Sequence, residues 1–396
     1  MNKQTVQTVL QAFVRTTAVV SLALWMTACS LFDDSNKKDE TVAPLKELSG
    51  GSVSLAKQWS RSVGSQGDEA LLLSLTPAVS GGTIYAANAN GGVLAMSRAS
   101  GEVRWKVDLD AALVGAVGAG ADMVFVSPAS GGVIALDAAS GEVRWRAQTS
   151  SQVLAAAATD GDVVVAQSTD AQVKAFDAAS GRVRWSYKSS QAVLTLRGTS
   201  SPVIQSGSVF VAFDNGKIAV LNASTGLMQW ERRFIVPNGR SELERIIDVQ
   251  ANPVLTSTDV IVASYQGVIV DIAQESGQIK WEQKASVVHS MATADDVIYI
   301  VEGGDVVRAL SMTTGNEIWK VEGFDNRGLS SPAIIGDYLA VADKRGYIHL
   351  LKRAGGTYAG RYNIGGDGVR ANLQSDGDTL YALTVSGKLY ALGLKQ

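Results

Sequence analysis

Short apolar runs, broken at regular intervals by Asp, Ser and Gly, recur along most of this chain. Three of them are close copies. Val93 to Trp105, Val133 to Trp145 and Val173 to Trp185 each read as an apolar stretch, an Ala-Ser-Gly turn and a second stretch ending in Trp. Each copy predicts two strands joined by a tight turn. In the turn, Asp137 or Asp177 can bond nearby backbone amides, while Gly141 or Gly181 can take positive φ. Looser copies end at Trp230, Trp281 and Trp319, so every Trp except Trp25 and Trp59 closes such a pair, and Trp59 has the strand without its predecessors. Two further strand candidates precede each pair, such as those around Val203-Ile204 and Val209-Phe210-Val211. Thr76-Pro77, Ser201-Pro202, Asn252-Pro253 and Ser331-Pro332 place Pro where a strand begins and no ladder donor is lost.

The unit is therefore a four-stranded antiparallel sheet repeated about every forty residues, the signature of a β-propeller blade. Third-strand copies begin near positions 93, 133, 173, 218, 269, 307, 348 and 389. The strand around Trp59 lacks predecessors, and the last third strand, Lys388 to Leu392, lacks a successor. Pairing the two closes the ring and protects both edges. The expected fold is all-β: one eight-bladed β-propeller over residues 52–396, closed by its N-terminal strand joining the last blade. Tyr358 or Tyr362 stands as the degenerate eighth member of the Trp series.

Residues 1–28 form a different kind of segment. Lys3 and Arg15 are its only charges, and the apolar run from Thr17 to Met26 is about ten residues long, too short for the ~20 of a membrane span. It ends in Met26-Thr27-Ala28-Cys29, which resembles a bacterial lipobox, with Cys29 the lone cysteine as the lipid-bearing residue. Ser30 in the next position implies the outer membrane by the sorting logic of such lipoproteins. Residues 29–51, with Asp33-Asp34, Lys37-Lys38-Asp39-Glu40 and Pro44, read as a lipidated flexible tether.

Composition removes several function classes. With 35 Lys+Arg against 38 Asp+Glu and a formal charge of −3, the chain has no basic excess for nucleic acid. One Cys excludes an intramolecular disulfide and every multi-cysteine metal site, and two His residues cannot make a three-His site. Asp137 and Asp177 occupy identical repeat positions, which makes them turn-builders rather than catalysts. Arg104, Arg144 and Arg184 recur beside Trp as a strand face. His289 and His349 fall in different repeats, and no nucleophile–base constellation stands out. No cofactor and no metal is expected.

The pattern of Ala135-Leu136-Asp137, Ser140-Gly141 and Trp145 resembles the repeat of pyrroloquinoline-quinone propellers. With the lipobox, the tether and eight such units, the whole chain resembles the BamB family, lipoproteins of the outer-membrane β-barrel assembly (BAM) complex. Leu194-Thr195-Leu196-Arg197-Gly198 is similar to that family's Leu-x-Leu-Arg-Gly segment, and Arg245 to Gln250 to its Arg-x-x-Asp-Val-Asp segment, with Gln250 in place of the second acid. The resemblance implies a non-enzymatic scaffold in a Gram-negative outer membrane, lipid-anchored and facing the periplasm. It would bind the POTRA domains of BamA and assist insertion of barrel proteins, with nascent outer-membrane proteins as further partners.

Spacing points to the same two places. Beyond the first repeat, the widest gaps between successive Trp residues are Trp185 to Trp230 and Trp230 to Trp281, which contain these segments. Insertions in repeat folds map to loops that commonly carry binding, and neighbouring insertions should lie side by side. Leu194 and Leu196 are the expected apolar anchors, with Arg197 and Asp248 as flanking charges; Asp248 would hold Arg197 or meet a partner cation. Two other readings stand beside this one: a quinone-dependent dehydrogenase and a periplasmic ligand sensor using the central channel.

Overall fold

A computed structural model describes residues 41–48, 53–66, 75–192, 194–196, 198–238, 240–241, 244–366, 368–369 and 371–395. The signal segment, Cys29, most of the tether and Arg197 lie outside the described residues. Eight sheets of four antiparallel strands make up the fold. Blade 1 contains the strands Ala78–Ser80, Thr83–Ala87, Gly92–Ser97 and Val103–Asp108. Blades 2 to 7 follow in chain order over 113–147, 158–188, 203–233, 254–285, 292–321 and 333–363. Blade 8 is assembled from both ends: Gln374–Ser375, Thr379–Leu383 and Lys388–Leu394 are completed by Leu55–Ser62. In that closure Trp59 lies opposite Ala391 and Ser62 opposite Lys388. The chain ends pair as expected.

The core is divided into eight wedges, each shared by two neighbouring blades. Inner strands such as Thr83–Ala87 and Val163–Gln167 are buried on both faces, which is why they read as unbroken apolar runs. Outer strands such as Val103–Asp108 bury mainly their Trp and expose the neighbouring charges. They also run past the Trp, so the Trp lies within the strand rather than at its end.

The Trp repeat has a reason that the strand pattern does not supply. Each indole crosses to the next blade and donates its N–H to a carbonyl in that blade's turn: Trp59 to Arg98, Trp105 to Ala138, Trp145 to Ala178 and Trp185 to Ala223. Trp230, Trp281 and Trp319 do the same with Gln274, Met312 and Arg353. The turn glycine lies under the indole. A Cβ on Gly181 would stand 2.7 Å from Cδ2 of Trp145, and its φ of 70° is left-handed. Within each turn, Asp137 and Asp177 accept backbone and hydroxyl bonds from Ser140 and Ser180 and pair with Arg144 and Arg184. They are turn-builders.

Neither Tyr358 nor Tyr362 takes the eighth Trp position. Gly360 does, since it faces Leu350 just as Trp105 faces Ala95. The next blade offers no such turn, because its third strand, Lys388–Leu394, and its fourth, Leu55–Ser62, come from opposite ends of the propeller and no hairpin links them. Val53 enters the notch instead and donates its N–H to the Ala359 carbonyl. A side chain at Gly360 would overlap the Val53 carbonyl.

A candidate partner-binding face beside blade 4

Connections from the fourth strand of one blade to the first strand of the next all emerge on one face of a ring of meandering blades. Two of the longest, 189–202 and 234–253, flank blade 4. They are held by the hairpin turn Asp214-Asn215-Gly216 that lies between them. Asn215 donates from Nδ2 to Ser189 Oγ at 3.1 Å and to Ser190, tying down the first connection. The Gly216 carbonyl accepts from Phe234 N at 3.0 Å, tying down the second. Gly216 has φ 75°, and a Cβ there would meet Ile235 and Ile247, so glycine lets both connections approach.

Asp248 joins the two connections to each other. Its Oδ2 accepts the Leu196 amide at 2.6 Å and the Gln250 side-chain amide at 3.3 Å, and its own carbonyl accepts from Tyr265 N at 2.8 Å. A second link runs from Ser201 N to Asn252 Oδ1 at 2.8 Å. The segments expected to be neighbours are therefore hydrogen-bonded together. Leu194 and Leu196 are 45% and 42% exposed on this loop, and Val236 on the other connection is also exposed.

Asp248 departs from its expected role as a surface charge. It is 0% exposed and cannot meet a partner cation on the surface. It acts on Leu196 from beneath. Burial pushes its carboxyl up to about 6, helped by the neighbouring Asp214 and opposed by the Leu196 and Gln250 hydrogen bonds. Among the described residues its Oδ1 has no hydrogen-bond partner. Gln250 donates to this carboxylate, which an ionised acid in its place could not do. The sequence reading missed Asp214 and Asn215; their Asp-Asn-Gly run is a hairpin signal that could have drawn attention to the support of the loops.

The central channel is a cavity of about 1190 Å³, with Leu196 at its wall. Its lining includes Thr76, Ser201, Asn252, Ser331 and Asn372, several of which bond to the backbone of the adjacent blade. No carboxylate occurs among the described residues lining it. Of the two histidines, His289 lines the channel, and burial lowers its pKa. His349 is buried between Asp343 and Tyr358.

A family model described as outer membrane protein assembly factor BamB matches residues 35–112, 90–321 and 303–396. The chain belongs to the BamB family of outer-membrane protein assembly factors. It is 44% identical over 379 residues to the outer membrane protein assembly factor BamB of Pseudomonas aeruginosa, covering 96% of this chain and 98% of that one. The crystal structure of BamB from Moraxella catarrhalis superposes with a TM-score of 0.77 at 25% identity, covering 86% of this chain and all of that one. A quinohemoprotein alcohol dehydrogenase from Comamonas testosteroni superposes at a TM-score of 0.65 and 13% identity, covering 86% of this chain and 76% of that one. That likeness is of fold alone.

Proposed function

We propose that this chain is a non-enzymatic scaffold, anchored to the outer membrane through acylated Cys29 and facing the periplasm, that binds the POTRA domains of BamA with Leu194, Leu196 and Arg197. Membership of a family of outer-membrane protein assembly factors supports the setting. The observation that carries the site is the pair of exposed leucines on a loop clamped to the buried Asp248 carboxylate. Preorganised apolar anchors lose little freedom on binding, so more of their burial appears as affinity. Covering the exposed part of one leucine contributes about 1 kcal/mol, a fraction of the 1.5–3 kcal/mol for full burial. Arg197 supplies a planar fork for a partner carboxylate. A channel wall without carboxylates among its described residues gives the Ca²⁺ and catalytic base of a quinone dehydrogenase no footing, which favours the scaffold over the enzyme.

Binding of isolated POTRA domains, measured alongside thermal melting, tests the site. Arg197→Glu should weaken binding at least tenfold, about 1.4 kcal/mol, with the melting curve nearly unmoved. Leu196→Ala should weaken it severalfold. Unchanged binding in both moves the interface elsewhere on the ring. For the anchor, Cys29→Ser should release the protein from the membrane fraction, because a single unacylated chain has no lipid to bury. Quantitative retention of that variant in high salt defeats the anchor. A quinone titration that saturates at one site would reverse the choice between scaffold and enzyme.

A further inference from the structure

We propose that residues 43–48 are a strap that pins the start of the chain to the loop-bearing face of the ring, so that the membrane tether departs from the same face as Leu194 and Leu196. The sequence reading placed these residues in the flexible tether, yet the compact unit begins at Ala43. Ala43 donates its N–H to the Asp325 carbonyl at 2.9 Å. In return, Arg327 Nη1 donates to the Ala43 carbonyl at 2.6 Å, and Arg361 Nη1 donates to the Lys46 carbonyl at 2.8 Å. The Lys46 ammonium stands 4.7 Å from the Phe324 ring centroid and donates to the Glu322 carbonyl. Two guanidiniums, Arg327 on the connection into blade 7 and Arg361 on that blade's fourth strand, thus hold the main chain of one short segment.

The Arg327 contact is a built one. Its side chain is 3% exposed, and its other nitrogens pair with Asp343, itself 0% exposed and bonded to His349. If the strap left, one arm of a buried guanidinium would lose its acceptor, which is costly for a charged donor. Pro44, next to the gripped carbonyl, has a fixed φ and lowers the freedom the strap gives up on docking.

Topology decides the face. Phe324, Asp325 and Arg327 belong to the connection from the fourth strand of blade 6, Glu317–Val321, to the first of blade 7, Ala333–Ile335. The 189–202 and 234–253 connections are of the same kind, so strap and candidate loops lie on one face. From Cys29 to Ala43 the chain can span at most about 50 Å, at ~3.6 Å per residue, against roughly 85 Å if the ring first held it at Val53. A short leash from the loop face turns that face towards the bilayer. The partner that fits it is a domain that is itself membrane-proximal.

The strap stands on these contacts alone; its orientation of the ring rests on Cys29 as the anchor. The two can fail separately. In the first arm, trypsin cleavage after Lys46 is followed in the mature wild type and in Arg361→Ala, with thermal melting of each. Cleavage should be at least tenfold slower in the wild type at nearly equal melting temperature. Equal rates overturn the strap; should Arg361→Ala melt much lower, Arg361→Gln, which keeps much of the length of the side chain and leaves the tryptic site at Lys46 unchanged, takes its place under the same criterion. In the second arm, acylated protein on phosphatidylglycerol–phosphatidylethanolamine vesicles carries a dye at Asn90→Cys on the loop face or at Ser100→Cys on the opposite face. Lipid-borne quencher should dim the first at least twofold more than the second. Equal or reversed quenching overturns the orientation. Failure of the acylated protein to bind vesicles defeats the anchor, and with it the orientation, while the trypsin result still decides the strap.

Discussion

Replacing Asp248 by Asn separates what the buried carboxylate does for the loop from what it costs the fold. The folded carboxyl titrates at about 6 because it is buried, whereas an unfolded Asp titrates near its ordinary 3.8. As pH rises, the unfolded state ionises first, so the folded state holds more protons between those values. The contribution of Asp248 to stability is therefore full below about 4 and is lost as pH rises through about 6. A displacement of about two pH units corresponds to roughly 3 kcal/mol at neutral pH as an upper bound. Asn keeps an oxygen for the Leu196 amide and removes the charge, but its new NH₂ takes the place of an oxygen without a partner among the described residues. That unpaired donor returns about 1 kcal/mol or more. Asp248→Asn should thus be more stable than wild type by about 1–2 kcal/mol at pH 7.5 and no more stable at pH 4. Urea midpoints read by Trp fluorescence at both pH values, with m compared as a check on two-state behaviour, give the difference. Asp214 and Asp271 are also raised by burial, so only the difference between variant and wild type reports on Asp248. POTRA binding should survive in Asp248→Asn and fall in Asp248→Ala, which leaves the Leu196 amide without its acceptor. A variant less stable than wild type by more than 1 kcal/mol at pH 7.5 would refute the reasoning.

Three further outcomes follow from the ring itself. Gly181→Ala should cost more than the ~1 kcal/mol of a left-handed alanine because its Cβ meets the Trp145 ring, and a double-mutant cycle with Trp145→Ala should recover the excess; additive costs would mean that the indole yields freely. Trp145→Phe, which deserts the Ala178 carbonyl, should lose about 1–3 kcal/mol in chemical denaturation, and a loss under 0.5 kcal/mol would remove the hydrogen bond from the lock. Deleting residues 52–62 strips blade 8 of its outer strand and of buried Trp59, a loss of about 3–5 kcal/mol for the indole alone; an unchanged melting temperature would contradict closure by that strand.

Much of this molecule is local and was open to reading from the chain. Strand runs, Asp/Ser/Gly turns and the Trp series repeat because every blade solves the same local problem, so the number of blades and the closing partner of Trp59 follow from counting. The adjacency of the Leu194–Leu196 and Asp248 segments follows from the order of blades in a ring. What lay beyond the sequence depends on contacts between distant parts of the chain. The indole needs a carbonyl and a bare glycine in the following blade, and where no hairpin links the third and fourth strands of blade 8, Gly360 stands in place of the indole and Val53 fills the notch. Asp248 looks like a surface charge in the sequence, because burial is a property of its neighbours, and only the approach of two connections over the Asp214–Gly216 turn closes it off from water. The strap is the plainest case. Ala43 and Arg327 are 284 positions apart, and nothing in a short proline-containing stretch with one Lys and one Glu marks it as docked until the folded ring presents two guanidiniums to its carbonyls.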